Sequence, residues 1–496
     1  MKLRNWQSKC INLAISKYDT NQKNFLVLAT PGAGKTVMAS SLAKQLYDLN
    51  KIDLVLCFSP SSIVAHDFSN ALSEQFNTHF DGTIGAMGNS YTYQGLSTLD
   101  KKVWDLFDKY RVFVIFDEIH HCAGSNIQNA NSWGESIITK IKNNSAFSIA
   151  LTGTPWRSDS LPIVLADYCN ESGKIQCDYI YGLQEAIRDK VCRVPQIIAL
   201  DNDQITVRQG NETNHFTSFI DLLSQSSIPY SEVVTNLQII EQLVYKADNK
   251  LNELRKFNKN VGGLIVASSI NHAWQIHQIL EEITGISALV VTSDEVDSKG
   301  LIRSFRNNQD KWLISVGMVS EGTNIPRLQV CCYLSNVKTE MYYRQVLGRI
   351  LRITDAQNQQ AFLFMPAEPK LVDYAYNVAK DIPNGLSKVK FEQMNLELTA
   401  EFDMLNLNDS DYVRQNTTDQ FIDEVVIETN CADFKIDLLK NKKEECHYKG
   451  PTQSDKKIMN ILGQYNHTEL EIDGFDNLVL SEQSIFKLTN YNEQAF

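Results

Sequence analysis

The sequence predicts an α/β protein made of two tandem, doubly wound parallel-sheet domains followed by an acidic C-terminal appendage. Three observations support this architecture. Short apolar runs alternate with helical stretches in two separate blocks, a polar segment divides the blocks, and the end of the chain is acidic. Continuous apolar strands separated by helices are typical of parallel sheets that are covered on both faces. We therefore expect two domains of similar build.

The first block, residues 1–200, contains four apolar runs with the composition of buried strands. These runs are residues 25–30, 54–59, 111–118 and 147–154. The second block, residues 260–378, contains five more, at residues 262–269, 288–293, 311–318, 330–335 and 360–365. All are short, rich in β-branched or aromatic residues and almost free of charge. We predict one domain in each block.

Residues 201–259 separate the two blocks and begin with a polar, turn-rich stretch. Valine, leucine and isoleucine then recur at helical spacing between residues 231 and 257, which predicts an amphipathic helix packed on the second domain. Residues 379–496 contain 12 Lys and Arg against 22 Asp and Glu, so they carry −10 of the net charge of −12. This appendage is a candidate for binding a protein partner, because its charge disfavours contact with phosphate groups.

The bulk composition excludes several classes of protein. Hydrophobic residues make up 43% of the chain and charged residues 21%, as in soluble globular proteins. No apolar run approaches the ~20 residues that span a bilayer, and the first residues lack the apolar stretch of a signal peptide. The ten cysteines form no CxxC pair, which argues against a zinc site and a disulfide framework. We expect a cytoplasmic protein with reduced thiols and no membrane partner.

A glycine-rich loop, ATPGAGKT over residues 29–36, lies between a predicted strand and a predicted helix. Backbone N–H groups of such a loop and the helix N-terminus bind phosphate groups. Lys35 is expected to reach the β- and γ-phosphates of a nucleotide, and the Thr36 hydroxyl to bind Mg²⁺. The strict motif begins with Gly rather than Ala29, and a chance Gly-rich turn is the alternative interpretation. The predicted phosphate-binding residues are Pro31, Gly32, Ala33, Gly34, Lys35 and Thr36.

An acidic pair, Asp117 and Glu118, ends the apolar run over residues 111–118. The carboxyl end of a parallel strand lies beside a phosphate-binding loop of the same sheet. Asp117 is therefore predicted to hold Mg²⁺, and Glu118 to act as the general base for an attacking water molecule. Alone, such a pair is more typical of a solvated strand end. A phosphate loop about 80 residues earlier favours the catalytic interpretation.

The segment YRQVLGRILR, residues 343–352, places Arg349 and Arg352 three residues apart, on one face of a predicted helix. Two guanidinium groups supplied by a second domain can stabilise charge on a departing γ-phosphate. By itself this segment is more typical of an exposed basic helix. Its order after the phosphate loop and the acidic pair favours a catalytic role for both arginines.

These motifs resemble those of superfamily-two helicases of the DEAH-box-like group, in particular the helicase subunits of type III restriction enzymes. Segments with the family's motif order cover residues 3–352, about 70% of the chain. The resemblance implies two RecA-like domains, with Gln7 reading the adenine base and Gln345 contacting ATP from the second domain. It also implies nucleic-acid contact or coupling roles for Ser59, Thr92, Gln94, His120, Thr152, Thr154, Ser268, Gly322 and Thr323.

Three positions depart from this family pattern. Ala29 replaces the first glycine of the phosphate loop, a change that the superfamily tolerates. Asn324 stands where close relatives carry Asp, which removes a charge near the expected ATP and strand contacts. His120 replaces the final Asp of DEAD-box proteins, which disfavours a purely RNA-chaperone role.

The resemblance implies an ATP- and Mg²⁺-dependent motor that closes two domains on a nucleic-acid strand. We expect a DNA helicase or translocase acting in restriction or defence, because the resemblance is to restriction and repair motors. An RNA helicase is one alternative. Another is an ATP-gated nucleic-acid clamp or sensor that recruits a partner, such as a nuclease, through the acidic appendage without processive unwinding.

Overall fold

The computed structural model describes most of the first 394 residues and two short strands beyond them. The described residues are 2–155, 157, 161–169, 175–202, 205–209, 212–295, 297–317, 324–355, 358–382, 388–394, 427–429 and 460–461. They form two large, mainly parallel β-sheets with helices between successive strands. The predicted fold class, two RecA-like α/β domains, is confirmed.

The first sheet has six strands in the order β3-β2-β4-β5-β1-β8, and every pair is parallel. The elements of this part of the chain are α1 (Asn5–Asp19), β1 (Asn24–Ala29), α2 (Lys35–Asp48), β2 (Leu54–Ser59), α3 (Ser62–Phe76), β3 (Gly88–Thr92), α4 (Lys101–Trp104), α5 (Leu106–Lys109), β4 (Val112–Phe116), α6 (Ser132–Ser136), β5 (Phe147–Thr152), β6 (Asp167–Tyr168), β7 (Ile175–Gln176), β8 (Tyr179–Tyr181) and α7 (Leu183–Arg188). The strands β6 and β7 form a separate antiparallel pair.

Strand β4 lies in the middle of the first sheet, where both of its faces are covered and a charged side chain would be buried. All five of its residues are buried. Phe113 and Ile115 pack into one apolar cluster, whereas Val114 and Phe116 pack into a second cluster. Because successive side chains of a strand point to opposite faces, both faces of the sheet are covered. The acidic pair that follows β4 is therefore held at the edge of a rigid, dry sheet.

The second sheet has eight strands in the order β13-β14-β12-β15-β16-β9-β17-β19, with only the β17–β19 pair antiparallel. A smaller antiparallel sheet has the order β11-β10-β18. The elements are β9 (Val194–Asp201), β10 (Ile205–Gln209), β11 (Glu212–Phe216), α8 (Phe219–Gln225), α9 (Tyr230–Thr235), α10 (Leu237–Phe257), β12 (Gly262–Ala267), α11 (Ile270–Thr284), β13 (Leu289–Val291), α12 (Ser298–Asn307), β14 (Trp312–Ser315), β15 (Leu328–Leu334), α13 (Glu340–Ile350), β16 (Gln360–Pro366), α14 (Pro369–Lys380), β17 (Lys388–Gln393), β18 (Ile427–Thr429) and β19 (Asn460–Ile461).

The predicted amphipathic helix corresponds to α9 and α10, which are interrupted at Asn236. The Asn236 side chain accepts the N–H of Ile239 and so caps α10. The apolar face of α10 packs on β15, β16 and α11, as expected for a helix of the second domain. It is 21 residues long, but its other face is polar. Among the described residues, no helix combines the length and apolarity that crossing a bilayer requires.

The strand pairing divides the chain differently from the predicted ranges. β9 lies within residues 1–200, yet it pairs with β16 and β17 of the second sheet. β17 lies within residues 379–496, where we predicted an appendage. The predicted boundaries therefore cut through the second sheet, because polar neighbours on both sides concealed these two strands. Sheet pairing places the change from the first domain to the second between α7 and β9.

Candidate nucleotide site

The glycine-rich loop connects β1 to α2, and two glycines give it its shape. Gly32 has a φ of 83° and Gly34 a φ of 95°, values that residues with a Cβ rarely adopt. Gly34 is the N-cap of α2, so the first N–H groups of that helix face the loop. A Cβ atom on Gly34 would lie 2.9 Å from Nε2 of Gln7. The loop therefore has the shape of an anion-binding loop, and positions 32 and 34 require glycine.

Arg4 and Gln7, at the start of α1, brace this loop. Arg4 donates a hydrogen bond to the carbonyl of Ala33 at 2.7 Å, and Nε2 of Gln7 donates to the carbonyl of Gly34 at 2.9 Å. Oε1 of Gln7 accepts the N–H of Arg4 at 2.8 Å. Each polar atom of Gln7 therefore has one partner at the loop, and its contact with the base stays a prediction. Arg4 lines the cavity instead.

Glu118 forms a partly buried ion pair with the lysine of the loop. Nζ of Lys35 lies 2.7 Å from Oε1 of Glu118, and the N–H of Gly153 donates to Oε2 at 3.1 Å. Burial opposes the charge on Glu118, but Lys35, His120 and these hydrogen bonds outweigh burial and lower its pKa to about 2. Glu118 is therefore a carboxylate at neutral pH, which is the form a general base requires.

Asp117 is buried beside Glu118, and its Oδ1 accepts no hydrogen bond from the described residues. Burial and the neighbouring charge of Glu118 raise its pKa to about 7. Asp117 lines the same cavity as Thr36. A carboxylate and a hydroxyl are the hard oxygen ligands that Mg²⁺ prefers. The residues present therefore fit Mg²⁺, which would be held by Thr36 and Asp117 and would stabilise the ionised form of Asp117.

His120 lies at the centre of a buried hydrogen-bond network. Its Nδ1 is 2.9 Å from Oγ1 of Thr152, and that hydroxyl donates to the carbonyl of Thr154 at 2.7 Å. Because the hydroxyl proton is used, Nδ1 of His120 carries a proton and donates it to Thr152. Nε2 of the ring lies 3.5 Å from Nε2 of Gln345 on α13. This contact joins the two domains.

The arginine pair lies on the opposite side of the cavity. Arg349 is in the last turn of α13, but the helix ends at Ile350, so the prediction that one helix carries both arginines is wrong for Arg352, which pairs with Cys192 instead. Arg352 donates to Oδ1 of Asn324 at 2.6 Å, so Arg352 has a neutral acceptor here and not a carboxylate. A Cβ on Gly32 would lie 3.3 Å from Cγ of Arg352. Burial, and then the charges of Arg349 and Arg306, lower the pKa of Arg352 to about 9. Arg352 is therefore still a cation at neutral pH, in contact with the phosphate loop.

A cavity of about 360 Å³ separates the two halves of the site, a volume typical of small-ligand pockets. The lining residues from the sequence prediction are Pro31, Gly32, Gly34, Lys35, Thr36, Asp117, Glu118, Thr154, Gln345, Arg349 and Arg352. Sequence reasoning missed five further lining residues, Val64, Asp67, Lys190, Val191 and Ile353. They belong to no motif, and only the approach of the two domains brings them together.

The predicted nucleic-acid contacts are placed unevenly. Ser59 has no exposed surface, because it ends a central strand, so its side chain is not available for the predicted contact. Gln94 is exposed and donates to the carbonyl of Pro60 at 3.3 Å, whereas Thr92 is half-buried. Ser268 hydrogen-bonds Nδ1 of His272 at 2.7 Å. Gly322 and Thr323 lie outside the described residues.

Comparison with known proteins was made on both sequence and fold. Residues 1–157 match the family described as type III restriction enzyme, res subunit, and residues 245–354 match the helicase conserved C-terminal domain. An uncharacterised protein of Mycobacterium leprae is 27% identical over 467 residues, which cover 90% of this chain and 76% of that protein. A DNA 3′-5′ translocase, XPB2 of Sulfurisphaera tokodaii, is 21% identical over 72% of this chain and 80% of its own.

Among solved structures, a fragment of a putative HsdR subunit of a type I restriction enzyme from Vibrio vulnificus has a TM-score of 0.56. It is 16% identical, and the match covers 79% of this chain and 69% of that one. Both family matches support the predicted resemblance to superfamily-two helicases and to restriction-enzyme subunits, and the structural match shows that the fold is shared.

Proposed function

We propose that this protein is a nucleic-acid-stimulated ATPase that acts as a DNA helicase or translocase. The observation that carries the proposal is the division of one cavity between two domains. Lys35, Thr36, Asp117 and Glu118 line it from the first domain, and the arginine pair lines it from the second. A nucleotide bound there would touch both domains, so its hydrolysis would change the force that holds them together.

In the proposed reaction, the triphosphate takes the place of Glu118 as the partner of Lys35. Lys35 Nζ lies 2.7 Å from Glu118, and the more highly charged phosphate would attract it away. The carboxylate of Glu118 is then free to accept a proton from the water that attacks the γ-phosphorus. Mg²⁺ held by Thr36 and Asp117 would supply charge neutralisation at the phosphates.

The arginine pair would act on the leaving β,γ-bridging oxygen and the transferred phosphoryl group. Their charge stabilises the transition state more than the ground state, because negative charge accumulates as the bond breaks. Arg352 already lies against Gly32 of the phosphate loop. Release of phosphate removes the anion that both domains hold, which favours separation of the domains.

DNA is the proposed nucleic acid. The relatives that support this choice are the DNA translocase of Sulfurisphaera tokodaii and the restriction-enzyme families.

The hydrogen bond between His120 and Gln345 gives a direct route from the acidic pair to the second domain. Alternating closure and opening, with each domain contacting backbone phosphates, would move the protein along a strand. Such contacts are independent of base sequence and weaken steeply with salt.

An ATPase assay with four nucleic acids tests the proposal. Phosphate release by the full chain is measured with single- and double-stranded DNA and with single- and double-stranded RNA, and Lys35→Ala serves as the inactive control. We expect stimulation by DNA. Stimulation by RNA alone would overturn the choice of substrate, and an absence of any stimulation would overturn the motor. Stimulation without translocation, measured by triplex displacement, would favour the ATP-gated clamp.

A further inference from the structure

The chain crosses from the first domain to the second at Cys192 and Arg193, beside the nucleotide cavity. The N–H groups of Val191 and Cys192 donate to the carbonyl of Ala186 in α7, at 2.7 and 3.2 Å. The next N–H, that of Arg193, donates to the carbonyl of Leu351 just after α13, at 2.7 Å. Consecutive amides are therefore held by different domains, which is the arrangement expected of a hinge.

The side chain of Arg193 is 1% exposed and ties the hinge to the end of α13. NH1 donates to the carbonyls of Leu328 at 2.6 Å and Ile350 at 3.2 Å, and NH2 donates to Oγ1 of Thr354 at 3.0 Å. Ile350 is the last residue of α13, where a positive charge also interacts favourably with the helix dipole. The guanidinium thus fixes the position and the direction of the C-terminal end of α13.

Stability alone is a poor explanation for this arginine. Within the part of the chain that the structure describes, no carboxylate forms an ion pair with Arg193, whose acceptors are two carbonyls and a hydroxyl. Burial lowers its pKa to about 10, so it remains charged at neutral pH. Burying a charge among neutral acceptors is unfavourable compared with apolar packing. The benefit is therefore expected in the position of what it holds.

The end of α13 carries the groups that act on the nucleotide. Arg349 lies in the last turn of α13, and Arg352 lies two residues beyond the end of this helix. The backbones of Cys192 and Arg352 pair as an isolated antiparallel bridge, and Sγ of Cys192 lies 3.6 Å from the carbonyl of Pro31. The hinge, the phosphate loop and Arg352 therefore meet at one point.

We propose that Arg193 is a positioning residue that sets Arg349 and Arg352 against the phosphate loop when the domains close about the peptide between Cys192 and Arg193. This inference rests on the proposed ATPase function. It assigns to Arg193 an effect on the chemical step rather than on nucleotide binding, because the arginines it positions act mainly in the transition state.

A matched pair of variants tests the role of Arg193. Arg327 is also buried, 5% exposed, and donates to the carbonyls of Phe305 and Asp310 and to Oδ1 of Asn308. None of these partners lines the cavity. We expect Arg193→Gln to lower kcat by about 10- to 100-fold with little change in KM for ATP. Arg327→Gln should lower the melting temperature about as much as Arg193→Gln does, but it should change kcat by less than about threefold.

The conservative variant and a double variant separate positioning from general damage. Arg193→Lys keeps the charge but loses the two-pronged geometry of the guanidinium, so its kcat should lie between those of Arg193→Gln and the wild type. In an Arg352→Gln background, Arg193→Gln should lower kcat by a smaller factor than in the wild type, because one of the groups it positions is already gone. If Arg193→Gln does not fold, Thr354→Val removes one acceptor and should lower kcat by about two- to fivefold with normal melting.

Three results would overturn the inference. They are equal loss of kcat in Arg193→Gln and Arg327→Gln, an increase in KM alone, and equal factors for Arg193→Gln in the wild-type and Arg352→Gln backgrounds. Each requires an active wild type and leaves the proposed ATPase intact. A wild-type chain that hydrolyses no ATP with any nucleic acid would instead defeat the proposed function, so the two failures are distinguishable.

Discussion

The two halves of the nucleotide site are held in different ways. In the first domain, Lys35 donates a hydrogen bond to Glu118, and Nδ1 of His120 lies 3.4 Å from the same carboxylate. Thr152 completes the network from the neighbouring strand β5. In the second domain, the one hydrogen bond that the Arg352 side chain donates within the described part of the chain is to Asn324. Helix α13, which ends two residues before Arg352, packs within the second domain and is tied at its end to the interdomain linker. The first half is rigid because its hydrogen bonds lie within one domain. The geometry of the second half depends on the relative position of the two domains.

This difference is what a nucleotide-driven clamp requires. A general base and a metal ligand act only when their geometry is fixed before the substrate arrives. Stabilising groups from the second domain are useful for coupling only when they are correctly placed in the closed state and displaced in the open one. Variants in the first half should therefore impair the chemical step, whereas variants in the second half should also impair closure of the domains.

Glu118→Gln should have the largest effect. The amide cannot accept the proton of the attacking water, so we expect kcat to fall by about ten-thousandfold, the upper end for a positioned general base. Nucleotide binding should persist, because Gln no longer competes for Lys35. Single-turnover phosphate release and titration with a fluorescent ATP analogue measure the two quantities. Glu74→Gln, on the exposed face of α3, is the control, and equal loss in both would contradict the assignment.

Arg352→Gln should lower kcat by about a thousandfold, at the lower limit for an arginine that stabilises phosphoryl transfer. The mutation also removes the charge with which the second domain would hold the γ-phosphate, so nucleotide should no longer compact the protein, which small-angle X-ray scattering measures. Arg344→Gln is the control, because Arg344 lies on α13, the helix just before Arg352, and forms ion pairs with Glu340 and Asp381 instead. An Arg352→Gln protein that still closes on ATP would remove the distinction between the halves.

The sequence predicted the rigid half better than the other. The glycine loop, Lys35 and the acidic pair lie in short segments whose local pattern states both the conformation and the chemistry. The strands around them were also predicted, because buried parallel strands have uninterrupted apolar sequences. Gln7 was different. Its family role was predicted, but its hydrogen bonds to the loop depend on how α1 packs, which no local pattern encodes.

The interdomain linker could not be predicted at all. Cys192 and Arg193 belong to no motif, and Arg193 is buried only because the start of β9, the start of β15 and the end of α13 converge on it. No strand was predicted at β9, and the predicted boundary at residue 200 placed almost all of its residues in the first domain, although it pairs in the second sheet. Contacts between segments that are distant in the chain decide all of these features.

Acid should weaken the second domain through His272. Its Nδ1 accepts hydrogen bonds from the backbone and hydroxyl of Ser268, and burial lowers its pKa to about 4. The unfolded chain binds a proton near pH 6.5 and the folded chain does not, so stability falls as the pH drops from about 7 toward 4. We expect a loss of about 2 kcal/mol between pH 7 and pH 5 from this group.

Denaturant unfolding at the two pH values measures this loss. His272→Asn keeps an acceptor near the position of Nδ1 but does not titrate, so its unfolding free energy should depend less on pH. His277→Asn is the matched control, because His277 lies on the same helix, is half-buried and contacts only the Ser287 hydroxyl among the described hydrogen bonds. Equal pH dependence in the wild type and His272→Asn would show that the histidine does not titrate as inferred.

Gln345→Ala should have the smallest effect and tests the connection between the halves. It removes a 3.5 Å contact with Nε2 of His120 but leaves every charge of the site in place. One neutral hydrogen bond contributes about 1 kcal/mol, so basal ATP hydrolysis should change by less than about fivefold. Stimulation by DNA should fall more than the basal rate, because this bond joins the acidic pair to the moving domain. Equal loss of both rates would mean that Gln345 serves nucleotide binding and not communication between the domains.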